Sequence, residues 1–324
     1  MIDRLLKAFP RVRALVVGDL VADHYLFGQT ERVSREAPVL VVRHETDEVK
    51  LGGGANVAAN ARALSAQVTA LGVLGKDEMG AALRRLFARE DIALRAVTGA
   101  GVVTETKMRI LAGGISTTRQ QMLRVDRGAV GPLPPAVRRG LARALEALVP
   151  EADVVIVSDY GAGVMGEETR DVLRAHARRG GLVTVDSRFA LAAYAGFTVC
   201  KPNEPELAAL TGLPVRTDAE LARAGEAALE RLSCGALLVT RGRRGMAVFE
   251  RGKRHVFLPV HGQHDAVDVT GAGDTVCATF ALALGAGAGA LEAARLANVA
   301  GALVVQKQGT ATVTREELRD EARR

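Results

Sequence analysis

The sequence predicts an α/β fold in which a mainly parallel central sheet is covered by helices on both faces. Short apolar runs of strand length recur along the chain, and stretches with helical spacing of apolar residues separate them. Polar residues also stand at the carboxyl ends of these runs, where open α/β sheets collect ligands: Asp19, Asp77, Asp159, Asp186, Lys201 with Asn203, and Thr240 with Arg241.

In chain order, residues 14–18 form the first strand candidate. Residues 54–64 follow as a helix, 68–74 as a strand and 79–90 as a helix. The alternation continues with a helix over 136–148, a strand over 154–158, a helix over 167–179, and strands over 182–186 and 197–200. A helix over 219–232 and a strand over 236–240 complete it. A helix of small residues is expected from about Asp274 to Leu284, and the Gly- and Ala-rich run over 278–294 reads as a buried helix. Two stretches, about 25–50 and 102–126, break the pattern. Runs such as Val39-Leu40-Val41-Val42 and Lys107-Met108-Arg109-Ile110 mark them as an accessory β-sheet able to act as a lid. The domain reading is one unit over 1–324 carrying that lid.

Composition bounds the function. With 324 residues and 48% apolar content the chain has ample core. No apolar run reaches the roughly 18 residues of a membrane span, and Met1-Ile2-Asp3-Arg4 opens no signal pattern. Cys200, Cys234 and Cys277 are odd in number and lie in apolar sequence, as expected of buried thiols in a reducing, cytoplasmic compartment. The net charge of +6 is dispersed among separate Arg pairs. With 3% aromatics and no Trp, the chain lacks the interleaved basic and aromatic stripe of a nucleic-acid binder. A mild basic excess suits small anionic substrates.

The densest chemical signal is Asp268-Val269-Thr270-Gly271-Ala272-Gly273-Asp274. A Gly-Ala-Gly turn opening a helix offers unpaired first-turn amides and the positive end of the helix dipole to an anion. Asp274, one residue on, can accept the proton of an attacking hydroxyl. The plain alternative is a glycine turn with an N-capping Asp. Other nucleotide motifs are missing: Ala70 and Ala247 stand where a Walker A loop needs Gly ahead of Gly75-Lys76 or Gly252-Lys253. In His261-Gly262-Gln263-His264, Gln263 interrupts a nucleotidyltransferase-type pair, so these histidines read as loop residues.

Four segments in order, Gly52 to Ala58 (Gly-Gly-Gly-Ala-Asn-Val-Ala), Asn203-Glu204-Pro205-Glu206, Thr240-Arg241-Gly242 through Gly245, and Asp268 to Asp274, together resemble the PfkB/ribokinase family of sugar kinases over nearly the whole chain. The resemblance implies a ribokinase-like fold whose β-sheet lid closes over the sugar and makes a homodimer contact. Gly18-Asp19, Asp23, Tyr25 and Gly28, then Ser34 to Val39, with Thr106 to Arg109 and Ser158-Asp159-Tyr160, are similar to the heptose 7-phosphate kinases of that family. Many of those carry a nucleotidyltransferase domain after the kinase; a chain ending at Arg324 is expected to be the standalone form.

The roles that follow are implied by the resemblance. Asp274 takes the proton of the sugar's anomeric hydroxyl, and the amides of Gly271, Ala272 and Gly273 hold charge on the phosphoryl group passing from ATP. Asp19, Asp23, Gly52, Gly53 and Asn56 bind sugar hydroxyls; Gly52 to Gly54 has the alternative reading of a strand-to-helix turn. Lys107, Arg109 and Arg119 on the lid, with Asp159, Asp186 and Arg188 at strand ends, complete the substrate side, the lid cations reading equally as solvated charges. Asn203 and Glu206 serve Mg²⁺ through water, with a Pro205-containing helix start as the alternative. Thr240 and Gly242 face nucleotide phosphates, Asn298 the adenine, and Asp268 and Thr270 a monovalent cation such as K⁺.

Two departures bear on phosphate recognition. Ala162 stands where the heptose kinases carry Lys, and Asp186-Ser187-Arg188 replaces their Asp-Pro-Lys; guanidinium and ammonium are not interchangeable. A family kinase for another sugar, sugar phosphate or nucleoside therefore remains the first alternative. A non-catalytic regulator that binds nucleotide or sugar phosphate is the second.

Overall fold

The structure, a computed structural model, describes residues 2–114, 119–128, 131–262 and 266–323. It opens with α1 (Ile2–Ala8) and β1 (Arg13–Gly18). Two long strands, β2 (Leu20–Val33) and β3 (Leu40–Gly53), leave the main sheet before α2 (Gly54–Ala63), β4 (Gln67–Val73), α3 (Glu78–Arg89) and β5 (Ala93–Val97). A second excursion, β6 (Thr106–Gly113) and β7 (Gln120–Arg127), precedes α4 (Pro135–Leu148), β8 (Val154–Asp159), α5 (Glu167–Arg178), β9 (Val183–Ser187), β10 (Val199–Cys200), α6 (Glu204–Thr211) and α7 (Asp218–Leu232). The chain continues through β11 (Ala236–Thr240), β12 (Met246–Glu250), β13 (Val256–Leu258), α8 (Ala272–Gly285), α9 (Ala290–Val304) and α10 (Arg315–Glu321).

Among the described residues the main sheet runs β13-β12-β11-β10-β9-β8-β1-β4-β5. It is parallel from β11 to β5, and β12 and β13 add antiparallel at the far edge. Successive strand residues point to opposite faces, so one sheet feeds two cores. Ala14, Val16, Val154, Ile156 and Leu238 pack with α2, α8 and α9 on one side. Leu15, Val17, Val155, Val157 and Val239 pack with α4, α5 and α7 on the other. This matches the predicted α/β fold.

From β1 the chain goes outward to β4 and β5 and later returns to β8 on the other side, so the strand order reverses at β1 and β8. That reversal opens a crevice at their carboxyl ends. The two strands approach closely there: a Cβ on Gly18 would lie 1.9 Å from the Ser158 carbonyl oxygen, and the Asp19 amide donates to that oxygen at 3.1 Å. The excursions form a four-stranded sheet, β3-β2-β6-β7, in which Asp23 pairs with Lys107 and Tyr25 with Arg109 across the parallel β2/β6 ladder. Both predicted lid segments therefore join one sheet.

Several boundaries differ from the sequence reading. The run over 197–200 pairs only at Val199–Cys200, because Gly196 turns at φ +85° and Phe197 is drawn into the core against Tyr194. The run over 278–294 is two helices, broken by Gly285-Ala286-Gly287-Ala288-Gly289, where Gly287 adopts φ +83°. No described helix is long and apolar enough to cross a membrane. His261 meets Glu321 at 3.2 Å, while His264 lies outside the described residues.

Candidate active site

Asp274 sits in the first turn of α8 at the carboxyl edge of the sheet, buried at 5% exposure. Its Oδ2 accepts from Asn56 Nδ2 at 2.7 Å and its Oδ1 from the Tyr160 hydroxyl at 2.8 Å. The Asn56 amide is oriented by its neighbours. The Thr275 hydroxyl donates to Asn60 Oδ1 at 2.7 Å, and Asn60 Nδ2 donates to Asn56 Oδ1 at 3.2 Å, which turns Asn56 Nδ2 toward the carboxylate. Burial raises the pKa of Asp274 from 3.8 to about 6; the Asn56 and Tyr160 donors and the Lys201 charge pull it down, while Asp186 adds to the rise. At neutral pH it stays mostly ionised, and nearer the operating pH than an ordinary carboxylate it is a stronger base.

The helix start is built for close approach. Gly271 caps α8 at φ +77°, and a Cβ there would lie 2.7 Å from Asn56 Nδ2. Only glycine meets both conditions. The Ala272 amide donates to the Val269 carbonyl at 3.2 Å, which removes it from the expected anion hole. The amides of Gly271 and Gly273 have no acceptor among the described residues, so these two carry the helix-end positive potential.

Lys201, which sequence reasoning placed only as a strand-end residue, belongs to this site. Its Nζ lies 3.9 Å from the Cβ position of Gly273 and 2.9 Å from Asp186 Oδ2. Burial opposes its charge, but Asp186, with Cys277 and Glu206, more than offsets that and raises its pKa, so the ammonium persists. Tyr160 was likewise missed as a site residue. The repeated polar strand ends pointed to this edge, but nothing in the sequence marked either contact with Asp274 or Gly273.

The structure revises several assignments. Asp19 spends its carboxylate on the loop after β8, accepting from the amides of Tyr160 (2.7 Å), Ala162 (3.1 Å) and Val164 (3.4 Å). Burial raises it to about 6, against those bonds and with Asp159 adding to the rise. These bonds make it the clasp that shapes the loop carrying Tyr160. Asp159 accepts from Ser187 Oγ, the Tyr194 hydroxyl and the Gly161 amide, and is thus a core anchor. Arg119 is exposed, pairs with Glu45 at 2.7 Å and lies over the Phe27 ring. Asn298 Nδ2 donates to the Pro259 carbonyl at 2.6 Å, which holds the stretch after β13 against α9.

The lid supplies the other wall. Asp23 Oδ1 accepts from Arg109 at 2.6 Å in a nearly buried pair, and Arg109 also lies 5.3 Å from the Tyr25 ring centre. Gly52 leaves room for Asp23, whose Oδ2 would be 2.6 Å from a Cβ there. Gly53 turns at φ +55° into α2 beside Asp19, as both the turn reading and the site reading require. Lys107 stands 4.6 Å above the Tyr160 ring, and burial lowers its pKa. Arg188 is exposed beyond Asp186 at the end of β9.

Asn203 and Glu206 form a reciprocal capping box at α6, so the helix-start reading is realised in full. Glu206 accepts from the Asn203 amide at 2.9 Å and Nδ2 at 2.8 Å, and burial raises its pKa. Its remaining lone pairs suit a water-bridged Mg²⁺ better than a direct cage, and no described cluster of three His, Cys, Asp or Glu exists to form one. Thr240 bridges to Asn203 at the next strand end, and Gly242 at φ +55° faces open space. Asp268 accepts from the amides of Thr270 (2.9 Å) and Gly309 (2.8 Å). Burial works to raise its pKa, but these bonds outweigh it and hold the group charged. A separate cavity of about 580 Å³ lies at the amino ends of β1 and β4, lined by Arg13, Arg62, Gln67 and Asp91. It is at the wrong edge for this chemistry.

Comparison with known proteins agrees with this architecture. The description "pfkB family carbohydrate kinase" matches residues 13–317. The chain is 39% identical over 310 residues to the bifunctional protein HldE of Geobacter sulfurreducens, covering 95% of this chain and 62% of that one. It is 41% identical over 316 residues to its namesake in Methylococcus capsulatus, covering 97% and 64%. It thus spans less than two thirds of these relatives. Among solved structures, phosphofructokinase-2 from Escherichia coli superposes with a TM-score of 0.79 at 20% identity, covering 96% of this chain and 98% of that one. Arabidopsis thaliana ribokinase gives 0.72 at 21%, with the same coverage. The chain belongs to the pfkB family of carbohydrate kinases.

Proposed function

We propose that the protein transfers the γ-phosphoryl group of ATP to the anomeric hydroxyl of D-glycero-D-manno-heptose 7-phosphate, giving the 1,7-bisphosphate used in lipopolysaccharide heptose synthesis in the cytoplasm. The observation that carries the kinase chemistry is the buried Asp274 carboxylate beside the unpaired Gly271 and Gly273 amides. The heptose assignment rests on the Ser34 to Val39 segment and its companions, together with about 40% identity to the two HldE proteins over the chain.

In this reading the sugar hydroxyl enters between Asp274 and the helix end. Its proton passes to Asp274 as its oxygen bonds to the γ-phosphorus, and the bond to the β–γ bridging oxygen breaks to release ADP. The two glycine amides and Lys201 receive the charge on the transferring group. Mg²⁺, when bound with the nucleotide, neutralises phosphate oxygens, and Asn203 and Glu206 hold its water shell. Thr240 and Gly242 face the phosphates, and Asp268 with Thr270 offers an oxygen-rich position for a monovalent cation. Asp23, Asn56 and Asp186 orient the sugar, while Lys107, Arg109 and Arg188 meet its 7-phosphate.

The test is ATP consumption with Mg²⁺ and K⁺ over heptose 7-phosphate, fructose 6-phosphate, ribose and nucleosides, with phosphorus NMR of the product. A 1,7-bisphosphate formed selectively supports the reading; selective turnover of another sugar replaces the heptose and points to Ala162 and Arg188.

Asp274→Asn should retain nucleotide binding and lose roughly 10²- to 10⁴-fold in turnover; near-normal rates would remove Asp274 from the mechanism. The same variant has a stability signature. Since the carboxyl has a folded value of about 6 against 3.8 ordinarily, the folded protein holds that proton more tightly than the unfolded chain. Ionisation thus destabilises the fold increasingly as pH rises through that window, by up to about 2–3 kcal/mol above it. Urea unfolding should show Asp274→Asn gaining stability over wild type at pH 8, with the gain gone near pH 4. A difference independent of pH would contradict the assigned shift.

We also read the lid as a homodimer contact, since its strands expose Val33, Leu40, Leu123 and Val125. Sedimentation of wild type should give a dimer and Leu123→Asp a monomer; a monomeric wild type would refute the contact.

A further inference from the structure

Tyr160 is held at three points, each reaching a different part of the site. Its hydroxyl donates to Asp274 Oδ1 at 2.8 Å, its amide donates to Asp19 Oδ2 at 2.7 Å, and its ring lies 4.6 Å beneath Lys107 of β6. Asp19 follows β1 and Tyr160 follows β8, so the contact sits at the strand-order reversal. Among the described contacts this is the one side chain that touches both the carboxylate and a lid cation. We propose that Tyr160 is a positioning residue that couples lid closure to the ionisation of the base, its hydroxyl gripping Asp274 while its ring carries the lid lysine.

A cation over an aromatic ring draws electron density from it, which makes the phenol a better donor. A donor to a carboxylate favours the charged form, so a stronger Tyr160 donor keeps Asp274 ionised in its burial site. With the lid seated, Asp274 is fixed by Asn56 on one oxygen and Tyr160 on the other, and each oxygen keeps a lone pair for the incoming hydroxyl. With the lid lifted, Lys107 leaves, the phenol donates less strongly, and Asp274 takes up a proton more readily. The ionised share of Asp274, the form able to accept a proton, is then smallest when the site is open to water.

The remaining groups that face Asp274 do not follow the lid. Asn56 comes from α2, Asp186 from β9, Lys201 from the end of β10 and Cys277 from α8 itself. Lys201 is fixed by Asp186, and Asn56 by Asn60. Tyr160, through Lys107, is the route by which lid position reaches the carboxylate.

The inference rests on Asp274 as the base, so the test separates the two. The Asp274 carboxyl is titrated by carbon-13 NMR in the full-length protein labelled at aspartate carboxyls, its signal assigned by loss in Asp274→Asn. Tyr160→Phe should shift that titration upward by about 1–2 pH units, the size of one hydrogen bond to a charged group. Lys107→Met should shift it upward by less. Fluorotyrosine at position 160, which keeps the ring and is the more acidic phenol, should shift it downward and serves if Tyr160→Phe does not fold. An unchanged titration in any folded Tyr160 variant overturns the proposal, as does an unmoved titration in Lys107→Met. If the titrations move as expected while sugar turnover shows no acid limb following them, the coupling stands and the base assignment falls.

Discussion

A carboxylate buried at the start of a helix is the constraint on which the rest of this structure depends. Water would solvate Asp274 at no expense to the fold; inside the protein its charge must be held by designed donors. Those donors come from three separated segments: Asn56 from α2, Tyr160 from the loop after β8, and Lys201 at a distance from the end of β10. Each needs its own support, and the Thr275–Asn60–Asn56 series and the Asp19 clasp on residues 160–164 supply it. Much of the polar interior at this edge is therefore accounted for by one group.

The topology explains why these segments meet. Reversal of strand order at β1 and β8 leaves a crevice at their carboxyl ends. The two long excursions from the sheet occur on either side of β4 and β5, so their strands pair above that crevice and bring Asp23, Lys107 and Arg109 over it. Chemistry then divides by element. Helix ends and strand ends supply fixed charge and donors, and the second sheet supplies Lys107 and Arg109.

The sequence was legible where a single periodicity governed it. The strands over 154–158 and 236–240 are buried on both faces and read as unbroken apolar runs, and the helices over 136–148 and 219–232 carry clean apolar stripes. β5 escaped notice because it is a half-exposed edge strand containing Arg95, and β12 and β13 because an antiparallel ribbon at the far edge lacks the alternation with helices. At the site, Asp274 and the glycines before it announce themselves through local spacing. The roles of Tyr160 and Lys201 depend on contacts across more than 70 residues, to Asp274 and Gly273, and Asp19 reads as a ligand until its oxygens are seen on backbone amides. Arg119 illustrates the reverse case, where a lid cation that fits phosphate by type is taken by Glu45.

The most direct test of the central claim is the pH dependence of kcat/KM for the sugar in the wild-type kinase. A base buried as Asp274 is should give an acid limb with an apparent pKa near 6. A rate that stays flat down to about pH 4.5 would mean that no group with that raised affinity for a proton takes part, and would contradict the assignment of the buried carboxylate as the base.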